Sequence, residues 1–523
     1  MSILHRRNLR TFVSASISVA LLLAAQTASA STPHLAVAHT AVVAAPRTSI
    51  STQSVGMQMF MWPWVSLKSE CTDVLGPEKV DWILVSPPQE DVRGDQWWTH
   101  YQPVSYKLES QLGTEQEFAG MVSACNAAGV QVIVDAVINH MANSNGIGFA
   151  GTSFTKYSYP RLYDTADFHA GLAKTAANFC ANSISNYNDS FQVENCELGG
   201  LPDLATEKAS VRQKIVDYLN HLTDLGVSGF RIDAAKHIGL KNLSAIRQAL
   251  NPVNGKQPYF LQESIGSAYD NQSWTQNGDV FAWDLQARFS SMFNGIPAQL
   301  KPDATSSSII GDPNSTVIMV SNHDNEHHAG NSLTYRDGQK FLTANAYLLA
   351  HPQGKPMLYT GYAFTVGNYD AGPAATASGV YAPAICPSSS DKPKSTYQDG
   401  TFVCLERWTA IKGMIQWHHE AASSPTTNLV SKQYLLAFTR GTTFFAMNTN
   451  QQDKKLNAKR TVKVTLQTGL PAGAYCDVVS GGAAAALNGK CAGAKVVVKT
   501  DGTALLTVPP MTAIGLDVSN RIQ

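Results

Sequence analysis

Eight short apolar runs, spaced by longer helical stretches, constrain this 523-residue chain more than any other feature. They cover residues 56–60, 80–85, 130–137, 229–233, 259–263, 280–284, 317–321 and 357–359. Most run apolar without alternation, as parallel strands do when both faces are covered. Helical periodicity falls between them, at 115–128, 210–225 and 339–350. Eight strands alternating with helices predict an α/β fold closed into a (β/α)8 TIM barrel.

The rhythm breaks twice. Residues 140–204 are far longer than an ordinary βα loop, rich in Asn, Ser and Tyr, and hold Cys180 and Cys196. They predict a small inserted domain after strand three. Beyond about Ala421, strand-like runs at 434–438, 443–447, 461–466, 496–498 and 503–508 follow one another without helices. Gly-Ala-rich turns separate them. This texture predicts a C-terminal all-β Greek-key sandwich over 422–523. The barrel then takes 48–139 and 205–421.

Four barrel strands end in polar residues. The segments are Asp135-Ala136-Val137-Ile138-Asn139-His140, Gly229-Phe230-Arg231-Ile232-Asp233-Ala234-Ala235-Lys236-His237, Phe260-Leu261-Gln262-Glu263 and Val320-Ser321-Asn322-His323-Asp324. Barrel enzymes place their chemistry at such carboxyl ends. Asp233, Glu263 and Asp324 come from three different strands. That trio suits glycoside hydrolysis, which needs a carboxylate nucleophile and a carboxylic acid as proton donor. Arg231 shares a strand face with Asp233, and its fixed charge favours the ionised carboxylate. Taken alone, an Arg–Asp pair at a strand end reads more readily as structural. Apolar Tyr259, Phe260 and Leu261 before Glu263 favour its protonated form. Trp97, Trp98 and Tyr101 offer an aromatic wall for the flat C–H face of a pyranose; a core cluster is the bland alternative.

Lys+Arg and Asp+Glu both number 39, so the formal net charge is zero. No basic excess points to nucleic acid or an anionic membrane, while a neutral polymer is a compatible substrate. Residues 1–30 read as an export signal: Arg6, Arg7 and Arg10, a short apolar stretch, then Ala28-Ser29-Ala30. Residues 31–47 read as a flexible lead-in. No later segment reads as a membrane helix, so a secreted, extracellular monomer is expected. Eight cysteines follow the signal, and an even count in an exported chain favours disulfides. Pairing neighbours is simplest: Cys71 with Cys125, Cys180 with Cys196, Cys386 with Cys404, and Cys476 with Cys491. The sequence alone allows many other connectivities.

The four strand-end segments, with Trp97-Trp98-Thr99-His100-Tyr101-Gln102-Pro103 and Phe191-Gln192-Val193-Glu194-Asn195-Cys196, resemble the signature regions of secreted α-amylases of glycoside hydrolase family thirteen. The wording is closest to the animal-type branch, which also occurs in bacteria. The resemblance runs from about residue 50 to the C-terminus. It implies retaining endo-hydrolysis of α-1,4-glucosidic bonds in starch and glycogen. Asp233 would be the nucleophile, Glu263 the acid/base and Asp324 the carboxylate that distorts the sugar. His140, His323 and Lys236 would join Arg231 and the aromatic wall on the substrate. One structural Ca2+ is implied at Asn139, Asp203 and His237, with backbone carbonyls of Glu194 and His237; Glu194 stands where Arg is usual. Chloride is implied through Arg231 and Asn322. Its third position falls on Met357, where a basic residue is expected, with Lys355 two residues away. A maltogenic hydrolase or transglycosylase on the same scaffold is the alternative. A non-catalytic glycan-binding protein is a third reading, but that class usually lacks one of the three carboxylates.

Overall fold

The computed structural model describes residues 50–522, except 170–179, 181–182, 254, 266–269, 295–311, 329, 331, 388–390, 395, 422 and 454. The expected export signal and lead-in lie outside the described residues. Eight parallel strands close into a barrel in sequential order. They are β1 (Gly56–Met59), β2 (Trp82–Val85), β3 (Gln131–Ala136), β4 (Gly229–Ile232), β5 (Tyr259–Gln262), β6 (Asp279–Phe281), β7 (Thr316–Ile318) and β8 (Lys355–Thr360).

Apart from the exposed Gln131, both faces of these strands are buried, which is why their sequences do not alternate. Trp82, Leu84, Ile133, Tyr259, Leu261, Phe281, Val317 and Met357 fill the interior. Met57, Met59, Ile83, Val85, Val132, Phe230 and Ile232 belong to the cluster shared with the helices. Gly56 makes the Trp82 indole possible: a Cβ there would come within 2.0 Å of its ring.

Most strands are shorter than expected, and two of them are also displaced. The runs at 280–284 and 317–321 shrink to three residues each, starting one residue earlier. After Phe281, Ala282 leaves extended geometry (φ −87°, ψ 73°) and the helix Trp283–Phe293 begins. Met319, Val320 and Ser321 are buried, but they lie past the end of the β7 ladder. The helices Glu115–Ala127, Ala209–Asp224 and Gln339–Ala350 match the expected periodicity within a residue or so. The first opens on a capping box, with Thr114 Oγ1 accepting from the Glu117 N–H at 3.3 Å and Glu117 Oε2 accepting from the Thr114 N–H at 2.8 Å.

Between β3 and β4 the chain makes a small hairpin (Gly146–Ile147 with Ser153–Phe154) and a short helix, Ser190–Asn195, capped by Asp189. Backbone bridges His140–Asp203 and Phe168–Leu204 tie this excursion to the barrel rim.

The C-terminal region forms two antiparallel sheets. One orders Thr426–Lys432, Leu435–Arg440, Thr443–Asn448 and Thr512–Asp517. The other orders Val462–Gln467, Thr503–Val508, Lys495–Val498, Gly473–Cys476 and Arg521–Ile522. Leu435, Ala437, Phe444 and Leu516 of the first share a core with Leu466, Val496, Val498 and Leu506 of the second. The barrel helix Thr409–Ala421 docks against this region. Gly413 allows the close approach, since a Cβ there would lie 2.1 Å from the Val478 carbonyl oxygen. Trp417 Nε1 donates to the carbonyls of Phe444 (3.2 Å) and Leu516 (3.1 Å).

Four disulfides join Cys71–Cys125, Cys180–Cys196, Cys386–Cys404 and Cys476–Cys491, each a pair of sequence neighbours. Among the described residues no helix is long and apolar enough to cross a membrane.

Candidate active site

Arg231 points from β4 into the barrel and is 2% exposed. Its neighbour across the β3–β4 ladder is Asp135. Its Nη1 donates to Asp135 Oδ1 and Asp233 Oδ1, both at 2.7 Å, and its Nη2 lies 3.0 Å from Glu263 Oε1. One guanidinium thus gathers carboxyl groups from three adjacent strands. A buried cation needs such partners. One positive charge cannot balance three negative ones, so protons are retained. Burial, opposed by Arg231 and reinforced by Asp233, pushes Asp135 up to about 7. Tyr101 donates its hydroxyl to Asp135 Oδ2 at 2.9 Å.

The two carboxylates expected to react extend their ladders by one residue. Asp233 N–H donates to the Ala136 carbonyl (3.1 Å), and Glu263 N–H to that of Ile232 (3.0 Å). Burial pushes Glu263 up to about 8, with Asp233 and Asp324 adding repulsion against Arg231. Glu263 therefore holds a proton at neutral pH, as a general acid must.

Asp324 sits in a helical turn, His323–Glu326, where Asn322 Oδ1 accepts from the Asn325 N–H at 2.9 Å. Its side chain is 35% exposed, open to the cleft. Burial pushes it up, but His323, Arg231 and neighbouring histidines outweigh that and leave it below the usual range. The His323 ring stacks on Phe60 (4.9 Å, 21°) and on Tyr101 (5.2 Å, 8°), with Trp97 edge-on at 5.7 Å. Burial lowers its pKa to about 4, so it is neutral.

Trp97 is held from behind. Its Nε1 donates to the Tyr369 carbonyl at 2.9 Å, and His327 Nδ1 meets that same oxygen at 2.9 Å. His327 stacks on Phe364 at 4.2 Å, and the Arg336 guanidinium lies 4.1 Å from the Phe364 ring. Trp98, 36% exposed, faces solvent. His140 is buried, its Nε2 3.0 Å from the Tyr101 carbonyl and its Nδ1 3.3 Å from Asn139 Nδ2. Lys236 reaches across to the Ile265 carbonyl at 3.4 Å.

The expected calcium ligands fall into two contacts. Asn139 Nδ2 lies 3.3 Å from Asp203 Oδ1, and His237 Nδ1 lies 2.8 Å from the Val193 carbonyl, beside Glu194. Burial pushes Asp203 up to about 7, although His169 sits 2.6 Å from its Oδ2. The buried Asp203 carboxylate beside the Asn139 amide, with the Val193 carbonyl at His237, offers hard oxygens of the kind that fit Ca2+. The chloride set does not fit. Arg231 is claimed by carboxylates, and Asn322 caps a turn. Met357 is 1% exposed in the apolar interior, and Lys355 Nζ is committed to Asp279 Oδ2 at 2.5 Å.

Asp135, Gln58, His169 and His327 were not among the expected site residues. Asp135 carried a signal, since it stands within the β3 motif. The others contact partners distant in sequence.

Residues 82–275 match the family described as Alpha amylase, catalytic domain, and residues 430–519 match Alpha amylase, C-terminal all-beta domain. The chain is 36% identical over 462 residues to an α-amylase of Streptomyces violaceus, covering 88% of this chain and 73% of the relative. It is 36% identical over 467 residues to an α-amylase of Tenebrio molitor, covering 86% and 93%. Among solved structures, wild-type α-amylase I of Eisenia fetida superposes with a TM-score of 0.75 at 29% identity, covering 91% of this chain and 99% of that one. A variant of that earthworm enzyme was solved in complex with maltohexaose. With the closed barrel, the C-terminal sheets and an identity that extends over most of both chains, this chain belongs to the α-amylase family of glycoside hydrolases.

Proposed function

We propose that this chain hydrolyses internal α-1,4-glucosidic bonds of starch, glycogen and maltooligosaccharides with retention of configuration. The observation that carries this is the shared guanidinium of Arg231, which holds Asp233 and Glu263 on adjacent nitrogens. That favours the short spacing of a retaining pair, about 5 Å, over the wider gap that an inverting enzyme leaves for water.

Asp233 attacks the anomeric carbon while Glu263 gives its proton to the leaving oxygen. Glu263, now ionised, takes a proton from water, which releases the sugar from Asp233. Asp324 and His323 bind hydroxyls of the same ring and favour its flattened, cation-like form. Tyr101 and Trp97 wall that sugar; His140 packs beneath the wall, and Trp98 and Lys236 serve neighbouring units. When bound, Ca2+ supplies a structural cross-link at Asn139, Asp203, His237 and the Glu194 carbonyl, pinning the excursion to the barrel. The even cysteine count, all paired within the chain, supports an exported protein that works outside the cell.

A reducing-sugar assay on soluble starch, with product chromatography and NMR of the first-formed anomer, tests the reading. Mixed maltooligosaccharides of α configuration are expected. Asp233→Asn and Glu263→Gln should each lower release by at least about 10²-fold while remaining folded. A β-anomer product, chain elongation, or full activity in either variant would overturn it.

A further inference from the structure

Gln58 is the only polar residue of β1, and it is 3% exposed. Its Nε2 lies 2.9 Å from His323 Nδ1, across 265 residues of sequence. The other ring nitrogen of His323, Nε2, lies 3.5 Å from Asp324 Oδ1. The two neighbours make opposite demands. An ionised carboxylate only accepts, so it favours a proton on the nitrogen facing it. A neutral imidazole has one such proton, which leaves Nδ1 bare and accepting. The group facing Nδ1 must then donate, which assigns the NH2 of Gln58 to that side.

We propose that Gln58 is a positioning residue that fixes His323 in the Nε2–H tautomer, so that the ring presents a hydrogen-bond donor to the cleft beside Asp324. The effect on catalysis rests on the hydrolytic reading above; the tautomer itself does not.

Three further points bear on the assignment. Phe60 and Tyr101 stack on the His323 ring, so only in-plane contacts set its orientation. Gln58 Oε1 has no hydrogen-bond partner among the described residues, which is the cost of turning the NH2 toward the imidazole in a buried site. The chemistry is also selective for an amide. A carboxylate at this position would draw a second proton onto the ring. An aliphatic side chain would leave Nδ1 unpaired.

Long-range 1H–15N correlation spectra of histidine-labelled protein read the tautomer directly, with the His323 signals identified by their loss in His323→Asn. At neutral pH, an unprotonated Nδ1 and a protonated Nε2 are expected. In Gln58→Leu the two tautomers should mix, and kcat/KM on maltoheptaose should fall between about two- and tenfold, the worth of one hydrogen bond. In the isosteric Gln58→Glu the ring should take up its second proton at higher pH than in the parent. Asp324, Arg231, Asp233 and His328 act on the same ring and are unchanged by that exchange. An Nδ1–H tautomer in the parent protein, or tautomer and kinetics unmoved in both variants, would overturn the proposal. A parent protein that shows the expected tautomer yet leaves starch intact would sink the hydrolytic reading instead.

Discussion

The backbone N–H of Ala234 donates to Glu263 Oε2 at 2.9 Å, and it does so from a left-handed conformation (φ 49°, ψ 33°). A non-glycine residue in that region costs roughly 1–2 kcal/mol. The conformation turns the chain after Asp233 so that its next N–H meets the acid. Ala234→Gly should therefore raise the melting temperature slightly and keep starch hydrolysis. A loss of stability in that variant would contradict the assigned strain.

In the proposed mechanism Glu263 acts in its protonated form, and burial, with help from its acidic neighbours, pushes its pKa up to about 8. Hydrolysis of starch should fall as pH rises through about 8. Glu263→Gln should lower it by about 10²–10⁴-fold. A dinitrophenyl maltoside, whose leaving group needs no proton, should be cleaved without the alkaline limb. An identical limb for both substrates would assign it to another group.

Among the described residues Arg231 lacks a second cation with which to hold an anion, because Lys355 is paired with Asp279 and Met357 is apolar. Exchange of chloride for sulfate at constant ionic strength should leave kcat unchanged. A several-fold gain on adding chloride would show that an anion site forms despite this pairing.

Calcium should act on stability. At a hundred times its Kd, one ion bound only to the folded state adds about 2.7 kcal/mol. A chelator should lower the melting temperature of the parent protein and leave Asp203→Asn unmoved. Equal shifts in both would place the ion elsewhere.

Glu406 lies buried beside Glu70, which is paired with Arg407. Burial, then repulsion from Glu70, pushes its pKa up to about 8. The folded state thus keeps a proton that the unfolded chain releases near pH 4. Its contribution is fully present below that value and is lost as pH rises toward 8, by at most about 1.4 kcal/mol per pH unit. Denaturant titrations should show Glu406→Gln losing less stability than the parent between pH 5 and 8. Parallel curves would mean the carboxyl is ionised throughout.

Much of this could be read from the chain. Strands covered on both faces leave unbroken apolar runs, and the carboxylates at their ends are visible as motifs. The runs at 280–284 and 317–321 overreached because Trp283, Met319 and Val320 are apolar for other reasons, in a helix and a buried connection. Thr426–Lys432 escaped notice because it is an edge strand with mostly exposed side chains and no apolar alternation. Gln58 and His327 were hidden because their partners, His323 and the Tyr369 carbonyl, lie far along the chain. Lys355 sits near the expected chloride position in sequence, but Asp279, 76 residues away, decides where its charge goes.

The four disulfides close intervals that never overlap: 71–125, 180–196, 386–404 and 476–491. A polypeptide threaded from its N-terminus into an oxidising space would present each thiol couple in turn, with no stray sulfhydryl waiting upstream. The correct covalent pattern then follows from order of arrival, and a shuffling catalyst has little to repair.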